Sequence, residues 1–213
     1  MFEIVYKDTD IIIINKPAGV PVETKSITGK DCESEIKKML ASEGVKNPYV
    51  AVINRIDQPV NGLVLFALNK NAAAKLSGEL TQGNIEKRYR AEVFGEFENK
   101  EGVLEEMLYK DGKSNMSFVV SEKDPRYAQA KKAVLEYKET EPGKLEIKLI
   151  TGRHHQIRVQ LSNAGHPILG DTKYGTEESK AETQNKEIKT LQLTSYKLSF
   201  KHPATGKELV FSI

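Results

Sequence analysis

Four consecutive isoleucines, Ile11 to Ile14, put the tightest limit on what this chain can fold into. A short β-branched run of this kind, closed by Asn15-Lys16-Pro17-Ala18-Gly19, reads as a buried strand followed by a turn. Such a strand needs neighbours in a sheet, and the chain supplies them. Tyr49 to Ile53 and Leu63 to Leu68 are predicted strands. Tyr89, Ala91 and Val93 alternate with polar residues, as a half-exposed strand does. Ala133 to Tyr137 and Leu145 to Ile150 add two more. Leu191, Leu193 and Leu198 to Phe200 suggest closing strands, with Ala204-Thr205-Gly206-Lys207 as a hairpin turn. From about Phe97 to Lys132, two glycine-containing breaks suggest hairpins.

Helical signals are fewer. Asp31 is placed to cap a helix through about Glu43 that buries Ile36, Met39 and Leu40. Ala72 to about Gln82 is predicted helical, capped by Asn69 or Asn71 and stopped near Gly83. Ile157, Leu161 and Ala164 form a stripe ending at Gly165, with Pro167 beyond. Thr176 to Lys189 is almost wholly polar and reads as a solvated loop. Many strands, few helices and no repeat or linker point to one α+β sheet domain in two lobes.

A chain of 213 residues buries roughly 70% of its unfolded surface, so it needs no covalent staples. The single cysteine, Cys32, excludes an internal disulfide and a multi-cysteine zinc site. Met1 to Lys7 lacks the order of a signal peptide, and no apolar run approaches the roughly 18 residues of a membrane span. A cytoplasmic, reducing location is therefore expected. The net charge of +2 neither requires nor excludes nucleic acid, because phosphate binding depends on a local basic patch.

Three segments gather reactive side chains beside turn residues. In Asn54-Arg55-Ile56-Asp57-Gln58-Pro59-Val60-Asn61-Gly62, a carboxylate at a strand end is held on a rigid scaffold with its tip exposed. An aspartate before proline can instead serve only its own turn. In Thr151-Gly152-Arg153-His154-His155-Gln156-Ile157-Arg158, a helix starting near Arg153 would make His154 and Arg158 neighbours on one face, opposite Ile157 and Leu161. That cluster could hold a phosphate, pair with a carboxylate, or simply decorate a surface helix. His154, His155, His166 and Asp171 could ligate zinc in principle, but the paired-histidine spacing of a metalloprotease helix is missing. Lys87-Arg88-Tyr89-Arg90 surrounds an aromatic with cations, suited either to stacking on RNA or to a solvated strand edge.

Taken in order, Ile14-Asn15-Lys16-Pro17-Ala18-Gly19, Asn54 to Leu63, Lys87-Arg88-Tyr89, Thr151 to Arg158, and Gly165-His166-Pro167-Ile168-Leu169-Gly170-Asp171 with Tyr174-Gly175 resemble the RluA-type family of pseudouridine synthases. The likeness runs from about Ile4 through His202-Pro203-Ala204-Thr205-Gly206 and so covers nearly the whole chain. It implies a single catalytic domain over residues 1–213, with a mixed, largely antiparallel sheet in two lobes flanked by helices and loops. With the first motif so near Met1, no N-terminal RNA-binding domain of the S4 type is expected. The resemblance also makes Asp57 the catalytic aspartate, Tyr89 the active-site tyrosine and Arg158 the aspartate's basic partner. Arg55 would enter the RNA and fill the space left by a flipped uridine. Two positions depart from the family's habit: Asn54 stands where His is usual, and Val60-Asn61 where Thr-Ser is common.

The chemistry so implied breaks the N1–C1′ bond, turns the uracil and joins its C5 to C1′. An ionised carboxylate can stabilise or attack the ribose carbon, as in glycoside hydrolysis, and attack at C6 of the ring is the competing role. Tyr89 is the candidate platform for the uracil and the base or relay for the C5 proton. Lys16, Lys87, Arg88, Arg90, Arg153 and His154 are candidate RNA contacts. No electrons or phosphoryl groups change hands and no nucleotide-binding glycine pattern is present, so neither cofactor nor metal is expected. The expected partner is ribosomal or transfer RNA, met by a monomer. A non-catalytic RNA-binding protein would keep the basic residues without needing Asp57 and Arg158 together. A metal-dependent hydrolase would lean on the histidine-rich segment.

Overall fold

The computed structural model describes residues 2–24 and 30–213. In chain order its elements are β1 (Glu3–Lys7), β2 (Ile11–Lys16), α1 (Cys32–Ser42), β3 (Ala51–Val52), β4 (Asn61–Ala67), α2 (Lys70–Gln82), β5 (Glu86–Glu92) and β6 (Glu101–Asp111). There follow β7 (Met116–Val119), a 3-10 turn at Tyr127–Gln129, β8 (Lys131–Glu141), β9 (Lys144–Leu149), α3 (Gln156–Asn163), α4 (Glu177–Asn185), β10 (Leu193–Lys201) and β11 (Glu208–Ser212). The chain divides into two compact units, Met1–Glu86 with Ser195–Ile213, and Lys87–Thr194.

In the first unit the isoleucine run is a central strand. β2 lies between β1 and β4, antiparallel to both, with Ile11 opposite Ala67 and Lys16 opposite Gly62. Side chains alternate across a strand, so Ile11 and Ile13 join Leu63, Leu65 and Ala67 on one face. There they pack with Ala72, Ala73 and Leu76 of α2 and with Leu198 and Phe200 of β10. Ile12, Ile14, Val64 and Phe66 on the other face are equally buried. A strand covered on both faces has no polar side to offer water, which is why the four isoleucines can stand in a row.

The helix caps follow the sequence. The Asp31 carboxylate accepts from Ser34 N at 2.7 Å, and Asn69, not Asn71, caps α2 by accepting from Ala72 N at 2.9 Å. Gly83 ends α2 in the left-handed conformation, φ 80°. Met39 is only half-buried beside the buried Ile36 and Leu40.

The second unit is a meander in the spatial order β5-β9-β8-β6-β7, every pairing antiparallel. Val159 of α3 packs with Leu108 and Ala133 on its inner face. The hairpins expected between Phe97 and Lys132 are β6, β7 and the start of β8. Two expectations need correction. Residues 176–189 are not a loop throughout: Thr176 accepts from Ser179 N and starts α4, whose one buried residue is Ser179. A helix that buries almost nothing leaves no apolar stripe to read, and only its cap and acidic first turn speak for it. α3 begins at Gln156 rather than near Arg153, because His155 takes the left-handed conformation, φ 53°, at its N-cap. His154 and Arg158 therefore do not share a helical face.

Gly62 shows how closely the first unit is packed near the site. With φ at 118°, a Cβ there would sit 2.3 Å from the Ser195 carbonyl oxygen. Gly19 has a positive φ of 85° but nothing within 4 Å of such a Cβ. Gly62→Ala should therefore lower unfolding free energy by more than about 3 kcal/mol or prevent folding. Gly19→Ala should cost only about 1 kcal/mol. Chemical denaturation of both variants checks the contrast, and equal losses would contradict it.

Candidate active site

In the first unit, Asp57 stands half-buried on the turn that enters β4. The turn is closed through the backbone, Val60 N to Asp57 O at 3.0 Å. A second turn, Pro17 to Val20, is fastened to it. Gly19 N donates to Gln58 O at 2.9 Å, and Gln58 Nε2 donates back to Gly19 O at 2.9 Å. Beneath both lies Lys16, wholly buried at the end of β2. Its ammonium donates to the carbonyl oxygens of Pro17 at 3.0 Å, Val20 at 2.7 Å and Gln58 at 3.0 Å.

Lys16 is thus a clamp between two turns. Its three protons are committed to main-chain carbonyls, which corrects the expectation that it contacts RNA phosphate. Burial pushes its amine down to about 8, with the charges of Cys32 and Asp57 acting in the opposite direction. Burial in turn pushes the Cys32 thiol up to about 11. Arg55, two residues before Asp57, is exposed and paired with Glu23 at 2.7 Å, so its guanidinium faces solvent. Asn54 is buried, accepts from Leu65 N at 2.7 Å and ties the approach to Asp57 onto β4. Its Nδ2 has no hydrogen-bond partner among the described residues.

In the second unit, Tyr89 lies on the buried face of β5, opposite Ile147. Lys87 shares that face and is buried. Arg88 is half-buried and Arg90 exposed, the latter 3.5 Å from Glu146. Arg158, on α3, is buried and forms a two-pronged pair with Asp171: Nε to Oδ2 at 2.7 Å and Nη2 to Oδ1 at 2.8 Å. Its guanidinium also lies 5.2 Å from the centre of the Tyr174 ring. Burial pushes the Asp171 carboxyl up, but Arg158 and the backbone N–H groups of Lys173 and Tyr174 outweigh it and hold the group below its ordinary value.

The strained His155 is held by Tyr174 Oη at 2.8 Å from its Nδ1, and its ring stacks on His154 at 3.8 Å between centres. His154 meets Ser117 Oγ through Nδ1 and Asn115 through Nε2. Arg153 is exposed, with Nε donating to Lys132 O at 2.8 Å.

In the sequence, Asp171 shows only as part of a motif and as a conceivable zinc ligand. Its place as the anchor of Arg158 was hidden because the two are brought together by the turn after α3, not by sequence spacing. The four residues weighed for zinc are engaged elsewhere: Asp171 with Arg158, His155 with Tyr174, His154 with Ser117, and His166 Nδ1 with Phe94 O at 3.1 Å. Among the described residues, Asp8, Asp10 and His202 do converge. There, however, His202 Nδ1 accepts from Ala204 N and Thr205 N, so the ring proton sits on Nε2 and goes to Asp8 Oδ2 at 2.8 Å. A metal there would have to displace that proton and break the bond to Asp8.

This placement of an aspartate turn and a tyrosine strand accompanies a match of residues 10–163 to the family model described as RNA pseudouridylate synthase. The chain belongs to that family. It is an RNA-modifying isomerase that converts uridine to pseudouridine. It is 30% identical over 208 residues to the dual-specificity RNA pseudouridine synthase RluA of Escherichia coli (strain K12), covering 98% of this chain and 90% of that protein. The Vibrio parahaemolyticus protein of the same name is 32% identical over 205 residues, covering 94% and 78%. Among solved structures, human RNA pseudouridylate synthase domain containing 4 superimposes with a TM-score of 0.75 at 25% identity, covering 99% of this chain and 87% of that one. The fold is also that of human RNA pseudouridylate synthase domain containing 1, TM-score 0.78 at 19% identity, with 100% and 83% covered. The expected family and the α+β fold on a mixed, largely antiparallel sheet are both borne out. No helix among the described residues is long and apolar enough to cross a membrane.

Asp171→Asn breaks the buried Arg158–Asp171 ion pair and should cost roughly 3–5 kcal/mol of stability. Because the folded pKa lies below the unfolded value near 3.9, the pair's stabilisation is complete above about pH 4 and lost as pH falls through the folded value. Thermal melts from pH 7 to pH 2 should show a flatter acid limb for the variant. Identical limbs would place the acid sensitivity elsewhere.

Proposed function

We propose that this synthase isomerises a specific uridine of structured RNA, ribosomal or transfer RNA, by flipping the base out and using Asp57 as the nucleophile. The observation that carries the proposal is the mounting of Asp57: a half-buried carboxylate on a turn that a buried lysine and a second turn hold in place. Positioning of this kind suits a nucleophile, whose effect depends on being fixed against the reacting carbon. The dual specificity in the names of the relatives supports a choice between RNA classes that is not narrow.

In this mechanism the carboxylate meets C1′ of the ribose or C6 of the uracil, and the N1–C1′ bond breaks. The freed base turns, C5 bonds to C1′, and the C5 proton departs as N1 takes one up, so the overall change is an isomerisation. Tyr89 is the platform for the uracil and the base or relay for the C5 proton. Arg158, held square by Asp171, is the basic residue of this mechanism. Arg55 stacks in the vacated place in the RNA. Its exposed guanidinium suits that role, since its surface ion pair with Glu23 is worth little in water. Lys87, Arg88, Arg90, Arg153 and His154 contribute to RNA binding. The enzyme works as a cytoplasmic monomer, without cofactor or metal.

Asp57→Asn should abolish pseudouridine formation in cellular RNA while leaving RNA affinity within about threefold of the parent, since the fold and the basic residues are untouched. A variant as active as the parent would refute the aspartate mechanism. Arg55→Ala should slow single-turnover conversion by at least about tenfold, reflecting the few kcal/mol needed to unstack a base. An unchanged single-turnover rate would remove the wedge role.

A further inference from the structure

Lys87 differs from every other cation considered so far. Lys16 is spent on carbonyls, Arg158 on Asp171, and Arg90, Arg55 and Arg153 each have a stated partner at the surface. The Lys87 side chain is only 9% exposed, yet no hydrogen bond or ion pair holds its ammonium among the described residues. It projects from the same face of β5 as Tyr89, two positions away. It sits one position before the Arg88–Lys148 pair, where β9 is about to give way to the Thr151-Gly152-Arg153 loop.

Gly152 supplies the second half of the observation. Its φ lies outside the left-handed region, so its backbone does not demand glycine. Among the described residues, the only atom that a Cβ there would meet within 4 Å is the Lys87 ammonium nitrogen, at 3.7 Å. Neither conformation nor packing against neighbouring side chains asks for glycine at this point. What glycine leaves is an open approach to a cation.

The loop is also held firmly. Thr151 Oγ1 donates to Gln156 Oε1 at 2.8 Å, and Arg153 N donates to the same oxygen at 3.0 Å. Gln156 Nε2 donates to Val134 O at 3.1 Å, and Val134 N donates to Thr151 Oγ1 at 2.8 Å. The opening over the ammonium is therefore part of a fixed frame.

We infer that Lys87, above Gly152, is a binding subsite for a phosphate oxygen of the RNA substrate, on the strand face that carries Tyr89. The inference rests on the proposed action on RNA and assigns one of its contacts to a built site. Keeping a largely buried ammonium without a partner costs stability, and burial accordingly pushes the Lys87 amine below its ordinary value. An anion bound over it would favour the charged form and recover that cost. Exposed arginines at the rim add attraction but no fixed register. A recessed lysine reached past a glycine gives one phosphate a defined place.

The test uses the full chain and a fluorescein-labelled RNA hairpin with a uridine-rich loop. Lys87→Met should weaken binding roughly tenfold at moderate salt. It should also reduce the slope of log Kd against log salt by about 0.7, the value for one phosphate of a single strand. Unlike a structural lysine, its removal should raise Tm, by roughly 2–4 °C for a chain of this size. Gly152→Ala keeps the charge but sets a methyl group against it, and should weaken binding in the same direction without lowering Tm. Inorganic phosphate titrated into protein carrying 13C-labelled lysine should move the Lys87 ε-carbon signal toward its protonated position, whereas chloride at equal ionic strength should not.

Unchanged Kd and salt slope in Lys87→Met would overturn the subsite. So would a fall in Tm with binding intact, or a loss of kcat with KM and Kd unaltered. A parent that binds this RNA through Lys87 but forms no pseudouridine would instead sink the proposed reaction and leave the subsite standing.

Discussion

The buried ammonium of Lys16 is the interaction on which the mounting of Asp57 in the first unit depends. Taking an ammonium out of water is costly, and it is tolerated here because three backbone carbonyls replace the lost hydration. Those carbonyls belong to two separate turns, so satisfying the charge also joins them. Gly19 and Gln58 complete the joint through main-chain and amide bonds. Asp57 precedes Gln58, so whatever steadies Gln58 steadies the carboxylate beside it. The arrangement starts from β2, whose four isoleucines anchor the strand that delivers Lys16 to this point.

The second unit uses a different device for a similar end. Arg158 is fixed by a bidentate pair with Asp171, by the Tyr174 ring and by its place on α3. A planar guanidinium held on two sides keeps its remaining donors aimed in one direction. His155 at positive φ just before α3 is a local strain that the Tyr174 hydroxyl helps to hold. The same residue stops α3 from starting earlier and separates His154 from Arg158. Lys87 stands apart from both devices because its charge is left unanswered among the described residues, which suits the proposed phosphate subsite.

The departure at Asn54 has a physical counterpart. Its amide oxygen still ties the segment before Asp57 to Leu65, while its buried amide nitrogen has no hydrogen-bond partner among the described residues. The segment keeps its anchor on β4 and carries one unsatisfied donor. An anchor of this kind bears on how the Asp57 turn is supported rather than on whether it forms.

Much of this was legible in the sequence. The isoleucine run, the Asp31 and Asn69 caps, the Gly83 stop and the order of the motifs are local signals, and local chemistry fixes them: β-branched side chains favour a pleated sheet, and short polar side chains satisfy helix N–H groups. Asp57, Tyr89 and Arg158 stood out for the company they keep along the chain. Other features depended on contacts between residues far apart. Whether a lysine beside a turn faces water or donates inward depends on which carbonyls the fold brings to it, so Lys16 became a clamp. Arg158 and Asp171 lie 13 positions apart and meet only once α3 and the following turn are packed. α4 gave no apolar stripe because it buries almost nothing. The sequence by itself determined the family, the strands and the reactive residues, since these rest on residue type and short spacing. Only the tertiary structure decided which charges, such as those of Lys16 and Arg158, are spent inside the protein, because burial and pairing are properties of the folded chain.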